Sequence, residues 1–407
     1  MQIKIHSEIN QIPAKQWNKM VDDNNPFVRH EFLAALENHG CVDPEFGWIP
    51  CHIGIYEDDT LAAAMPLYQK FNSYGEFVFD HAWADAYKQS GIPYFPKLVS
   101  AAPYTPATGQ RMLSNAENPG THYQILMQTV AQFATDNNIS GYHCLFPRPD
   151  QLDWLAKLTL NGADVLLRHD VQFHWHNQGY KTFEDFLAKL TAKKRKNIRQ
   201  ERKRMQQSGV TLRLLDGHTA TAKDWDDFAY FYKTTFEEKW STPTLNAGFF
   251  KEVAEKMPDQ VFLVMADLPS DPQAENSQPD TDAERTEDAD SNSQGNRCIA
   301  GSLMFRSDTR LYGRHWGCTH QIDKLHFEAC YYQGIEYCIR NNLQVFEPGA
   351  QGEHKIARGF IPTETRSAHW LNNSPYQDAI AQYVGHERLA INEYRDQLKS
   401  PYQEDQS

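Results

Sequence analysis

Thr121-His122-Tyr123 opens a helical stretch that closes at Asn137-Asn138-Ile139 and runs straight into Gly141-Tyr142-His143-Cys144-Leu145-Phe146. Leu325-His326-Phe327 opens a second one, closing at Asn341-Asn342-Leu343 and running into Gln344-Val345-Phe346. In both, the histidine stands fifteen positions before the first asparagine. β-like segments precede each copy, Thr60 to Tyr68 in the first and Cys298 to Trp316 in the second. A strand-rich meander, a helix and a strand, written twice at a spacing near half the chain, predict two tandem domains of similar topology. The expected class is mixed α/β, each domain a twisted sheet flanked by helices, with residues 1–171 as the first unit and 172–400 as the second.

The 407 residues suffice for two domains with their own cores, and the apolar content of 40% is that of a globular protein. No eighteen-residue apolar run marks a membrane span, and Met1 to Glu8 alternates like a strand instead of forming a signal-peptide core. Seven cysteines without a C-x-x-C pair point to reduced thiols in a cytoplasm. The net charge of −13 is uneven: residues 269–297 hold eight acids and two bases and almost no large apolar side chain. That segment is expected to be a disordered insertion between two strands. The polar tail after Pro401 is expected to fray. A long helix is expected from Thr182, a good N-cap with Asp185 three residues on, through Met205 to a stop at Gly209. Asp80 to Arg111 reads as loop.

The densest polar run, Glu347 to Phe360, follows the second copy's strand, where ligands gather in α/β sheets. Glu347, Glu353, His354, Lys355 and Arg358 lie within twelve positions, enough for acid, base and charge-stabilising roles together. The competing view is a solvated loop whose charges pair among themselves. In the first unit, His81, Trp83, Asp85, Tyr94, Lys97, Thr105 and Arg111 can line an acceptor pocket, aromatic faces stacking on a ring while cations meet an anion. They can equally pack an irregular loop. Lys194, Arg195, Lys196 and Arg199 crowd a helix with Glu201 as its one nearby acid; this density suits phosphate or RNA, or a solvated face. No histidine or cysteine spacing supports a closed metal site, so no metal is expected and a metal-dependent hydrolase is the weakest option.

Several runs carry a resemblance: His81-Ala-Trp83-Ala-Asp85, Tyr94-Phe-Pro96-Lys97, Pro103-Tyr-Thr105-Pro106 with Gly109 and Arg111, Lys194 to Arg199, Tyr312-Gly-Arg314-His315-Trp316-Gly317, His326-Phe327-Glu328, Glu347 to Phe360 and Ser367-Ala-His369-Trp370. In them the chain resembles the FemAB-like branch of the Fem-type peptidoglycan aminoacyltransferases, built from tandem acetyltransferase-like (GNAT) domains. The resemblance implies transfer of an acyl or aminoacyl group to an amine acceptor, with acyl-coenzyme A or aminoacyl-tRNA as donor substrate and no resident cofactor. It also implies that Lys355 and Arg358 steady the oxyanion, that Glu347, Glu353 or His354 relays the proton, and that Arg314, Trp316 and Gln351 meet substrate. Gly317 to Leu325 lacks the closely spaced glycines with which acetyltransferases cradle the coenzyme pyrophosphate, which disfavours acetyl-coenzyme A. The alternative is a non-catalytic module of the same fold that binds RNA, phosphate or a cell-wall precursor.

Overall fold

The computed structural model describes residues 1–238, 241–269, 296–350 and 352–403. The acidic insertion, apart from its ends, and Gln351 lie outside the described residues. Eleven strands form one long sheet. From one edge, the second half supplies Thr211–Leu215, Val261–Leu268, Arg297–Arg306, Arg310–Cys318 and Val345–Glu347. Leu166–His176 and Ile361–Leu371 follow at the centre. The first half then adds Gly141–Leu145, Lys97–Ser100, Tyr68–Lys70 and Trp48–Pro50. A four-stranded sheet, built on Gln2–His6, His52–Glu57 and Thr60–Met65, flanks the first half.

The two quoted motifs explain the two places where neighbouring strands run parallel. Lys97–Ser100 pairs parallel with Gly141–Leu145, and Arg310–Cys318 pairs parallel with Val345–Glu347. Parallel neighbours need a crossover, and a helix supplies it in each case. In the first copy the helix is Gly120–Asp136; its Leu126, Met127, Val130 and Ala134 are fully buried against the sheet. In the second, Leu325–Phe327 continues through a π-helical turn, Glu328–Tyr332, into Gln333–Arg340.

Both helices end the same way, and the Asn-Asn pair is the reason. The Asn137 side-chain amide donates to the Phe133 carbonyl (2.8 Å), as Asn341 does to Tyr337 (2.9 Å). Asn138 and Asn342 then turn left-handed, each at φ 53°. That turn lets the Ile139 amide reach Ala134 O (2.8 Å) and the Leu343 amide reach Cys338 O (2.9 Å), satisfying carbonyls the helix leaves open. Ile139 and Leu343 are thereby driven into the core as the next strand begins.

Leu166–His176 crosses position 171/172, where the sequence places a domain boundary, without a break. It pairs with Ile361–Leu371 over nine residue pairs, and the latter pairs in turn with Gly141–Leu145. A strand from the end of the chain therefore completes the sheet of the first lobe. Gly141 is required there, because a Cβ would stand 2.3 Å from the Trp370 carbonyl. Other contacts also cross between the lobes. Phe32 packs edge-on against Phe249, Phe27 against Tyr312, and Arg314 donates to the Tyr104 carbonyl (2.6 Å).

Three local expectations are corrected. The helix expected from Thr182 is two helices, Phe183–Lys189 and Ala192–Gln207, because Leu190 is extended and fully buried, bridged to Tyr402. The stretch expected to be loop holds helix His81–Gln89 as well as the strand Lys97–Ser100. The tail is docked as far as Gln403: Pro401 is buried and the Tyr402 hydroxyl donates to Gly359 O (2.6 Å).

Replacing Asn138 or Asn342 by Ala should cost about 1–2 kcal/mol each, because alanine resists the left-handed conformation. Replacement by Gly should cost little. Urea unfolding of the four variants checks this.

Candidate functional site

In the second lobe, the strand Val345–Glu347 leads through a glycine turn into the short 3-10 helix Glu353–Arg358. Gly352 and Gly359 bracket this helix at φ 112° and 91°, values that side-chain-bearing residues rarely adopt. The result is that Lys355 and Arg358 point inward: they are only 2% and 6% exposed. Lys355 Nζ donates to Gly349 O (2.7 Å) and has no other partner among the described residues, which leaves two of its N–H groups unspent. Burial pushes its pKa down to about 8. Arg358 lies 3.4 Å above the Phe327 ring, donates to His354 O (2.8 Å) and pairs with Glu201 Oε1 (2.7 Å), while its Nε has no partner.

A histidine and aromatic wall surrounds these cations. His354 Nε2 meets the Tyr331 hydroxyl at 2.9 Å; burial, then Arg358 and Lys355, hold its pKa below the usual value. His326 is pushed down to about 4 by burial and by the positive groups beside it, and Trp316 packs edge-on to its ring at 5.4 Å. The π-helical turn carries Tyr331 to His354 and Tyr332 to Glu201. The first lobe's helix has no such turn, and π-bulges often mark functional positions. Glu353 is exposed and accepts from the Tyr394 hydroxyl (2.7 Å), so it stands on the rim. Glu347 lies apart from this group, at the junction of the lobes. It is buried and accepts from Arg310 (2.7 Å), its Oε2 is unpartnered, and burial raises its pKa. Arg314 is near that junction, with its pKa pushed down to about 10 by burial.

The first lobe gathers a separate buried cluster. Lys97 Nζ pairs with Glu76 (2.8 Å) and with Asp80, which also accepts from the Tyr94 hydroxyl (2.6 Å). Burial raises Glu76 to about 7; Asp80 stays below the carboxylate range because Lys97, with the hydrogen bonds from Lys97 and Ser73, outweighs its own burial. Ligand atoms of Glu76, Asp80 and His143 come within 4.8 Å of one another, a spacing fit for a metal. The Lys97 ammonium already neutralises these carboxylates, and a cation would have to displace it. Trp83 is buried beside His369 and Arg168. Asp85 and His81 are both exposed on the same helix. Arg111 is 1% exposed and donates to the carbonyls of Leu145, Gln110 and Ala107, next to the buried Thr105. These side chains therefore fall into two neighbourhoods: the aromatic helix with Lys97, and the loop braced by Arg111.

On the basic helix Ala192–Gln207, the sides divide. Glu201 and Arg202 turn inward, Arg202 to Glu328 (2.8 Å) and Glu336 (2.6 Å). Lys196 and Arg199 are exposed and Lys194 and Arg195 half-exposed; Arg195, Lys196, Arg199 and Lys203 line an open groove of about 290 Å³. Glu201 and Tyr331 stand at this candidate site although sequence reasoning did not single them out, and His326 was marked only as part of the repeat and of the resemblance. Glu201 carried a signal, as the lone acid in a basic run.

This fold, two sheet-and-crossover lobes sharing one sheet, is the tandem acetyltransferase-like (GNAT) architecture. The crystal structure of FemX matches it with a TM-score of 0.50 at 11% identity, over 94% of this chain and 100% of that one. A conserved protein of unknown function from Bacteroides thetaiotaomicron matches with the same TM-score at 9% identity, over 91% and 100%. No curated protein matches the sequence significantly. Residues 8–275 and 289–404 match the FemAB-like family model, described as peptidoglycan biosynthesis/recognition, and the chain belongs to that family. No described helix is long and apolar enough to cross a membrane.

Replacing Glu201 by Ala strands Arg358 as an uncompensated buried cation and should cost about 3 kcal/mol. Replacing the exposed Arg199 by Ala should change stability by less than about 0.5 kcal/mol. Chemical denaturation of the two variants side by side provides the check.

Proposed function

We propose that the second lobe catalyses transfer of an acyl or aminoacyl group to an amine. One observation carries this reading: Lys355, buried and next to a second buried cation, keeps two N–H groups with no partner among the described residues. Such preorganised positive donors cost little to aim at an oxyanion and act strongly where water is excluded. In the step proposed, the acceptor amine attacks the donor's ester carbonyl, forming a C–N bond. The Lys355 ammonium, with Arg358 beside it, steadies the tetrahedral oxyanion. His354, neutral near pH 7, takes the amine proton; the C–O bond then breaks and the leaving hydroxyl regains a proton. Glu353 on the rim and Glu347 at the lobe junction would act through substrate orientation, together with Arg314 and Trp316.

The donor favoured is aminoacyl-tRNA. The helix after Arg310–Cys318 starts without a glycine cradle, and the outward lysines and arginines of Ala192–Gln207 offer a phosphate-binding face near the same lobe. The first lobe, roughly residues 1–171, would shape the acceptor side. Seven free thiols support a reducing, cytoplasmic setting.

The test is transfer of radiolabelled amino acid from charged tRNA to a muropeptide amine. Lys355→Ala should lower kcat at least about a hundredfold with the fold intact. The rate should be bell-shaped in pH. It should rise as His354 loses its proton, at a pKa below 6.5, and fall as Lys355 loses its own near 8. Unchanged turnover in Lys355→Ala would overturn the assignment.

A further inference from the structure

A second cavity, of about 280 Å³, lies away from Lys355, between the central strand pair and the C-terminal helix Gln377–Gln397. Its floor is set by register. Ser367 stands opposite Arg168 and Thr365 opposite residue 170, so all point to one face of the sheet. The roof is one side of the helix, from Tyr383 through Glu387 to Ile391, at four-residue spacing.

Three features of this cavity point to a ligand. Thr365 is 4% exposed, yet its hydroxyl has no hydrogen-bond partner among the described residues, a cost that a bound polar group would remove. Ser367 is likewise buried, and its hydroxyl is fixed by His369 Nε2 at 2.7 Å; His369 leans on His143 at 3.0 Å. Burial holds both imidazoles neutral, His143 at about 3, so this chain orients the serine without adding charge.

The charges on the wall are nearly all spent. Arg168 makes two bonds to Glu387 (2.8 and 2.5 Å) and one to Phe79 O (2.8 Å). His169 is taken by Glu364 (2.6 Å), and Arg366 lies 3.5 Å from the same carboxylate. Among the described residues, Asp170, at the exposed rim, accepts only from the Val171 amide. Arg366 alternates to the other face of its strand from Thr365 and Ser367, so over this floor an anion meets, among the described residues, only the already paired Arg168, whereas a hydroxyl or amide N–H finds acceptors. Beside this polar floor stand two aromatic rings held partly in solvent, Phe79 at 63% and Tyr383 at 46% exposure. Exposed aromatic faces next to neutral hydroxyls fit the alternating C–H and O–H surface of a sugar ring.

We propose that this cavity binds an uncharged saccharide unit bearing hydroxyl and amide groups. The site does not depend on the acyl-transfer reading, although one hydrogen bond joins its helix to that region. Tyr394, one turn beyond Ile391, holds Glu353 on the helix that carries Lys355.

Titration calorimetry of the full chain with N-acetylglucosamine and its β-1,4 dimer provides the test, with glucosamine 6-phosphate as the charged control. Saturable binding of the neutral sugars is expected, weakened roughly tenfold or more by Thr365→Val, which removes only the unpaired hydroxyl. Tyr383→Ala, on an exposed ring whose loss leaves the core untouched, should weaken it similarly. Lys355→Ala should bind as the parent does, which separates this site from the acyl-transfer centre. No binding of either neutral sugar, preference for the phosphate, or affinity unmoved by both cavity variants would overturn the proposal.

Discussion

Nine paired residues between Leu166–His176 and Ile361–Leu371 hold the two lobes in one sheet. Without that ladder the two crossover units would end in open edges, Gly141–Leu145 on one side and Val345–Glu347 on the other, each a row of unpaired backbone groups. With it, one sheet carries continuous hydrogen bonding from Thr211–Leu215 to Trp48–Pro50. Side chains on its central strands can then be shared by both halves. The Arg168–Glu387 pair and the Ser367–His369–His143 chain both draw on segments far apart in sequence, and both sit on this pair of strands.

Given one topology used twice, what separates the lobes is how they spend their buried cations. In the first, Lys97 is neutralised by two carboxylates and Arg111 is consumed by three carbonyls. Lys97 braces the aromatic helix and Arg111 the neighbouring loop. In the second, the π-helical turn redirects Tyr331 and Tyr332, and the glycine-bracketed helix turns Lys355 inward, where it meets a single carbonyl among the described residues. Burying a cation with so few partners is costly.

Much of the architecture was legible, because the repeated Asn-Asn signal encodes a local event: a side-chain cap, a left-handed residue and an apolar anchor. Events of that kind need only neighbours in sequence. The strand pairing across positions 171 and 172 was not legible, since nothing local tells a strand that its partner arrives near the end of the chain. The break at Leu190 was missed for a similar reason. The spacing of Phe186, Leu187 and Ile198 suits one helix, but burial against the docked tail draws Leu190 into extended backbone. Lys355 and Arg358 could be named as candidates by residue type and context. Glu201, which pairs with Arg358 across 157 positions, could be placed there only by the fold.

The late arrival of Ile361–Leu371 bears on biosynthesis. His143 and His369 meet although they lie 226 positions apart, so the amino-terminal lobe cannot finish its sheet until Ile361–Leu371 has been made. Until then it is a partly built layer with one unsatisfied flank, vulnerable to pairing with another nascent chain. A chain cut short before this strand would lack the element that closes its first half.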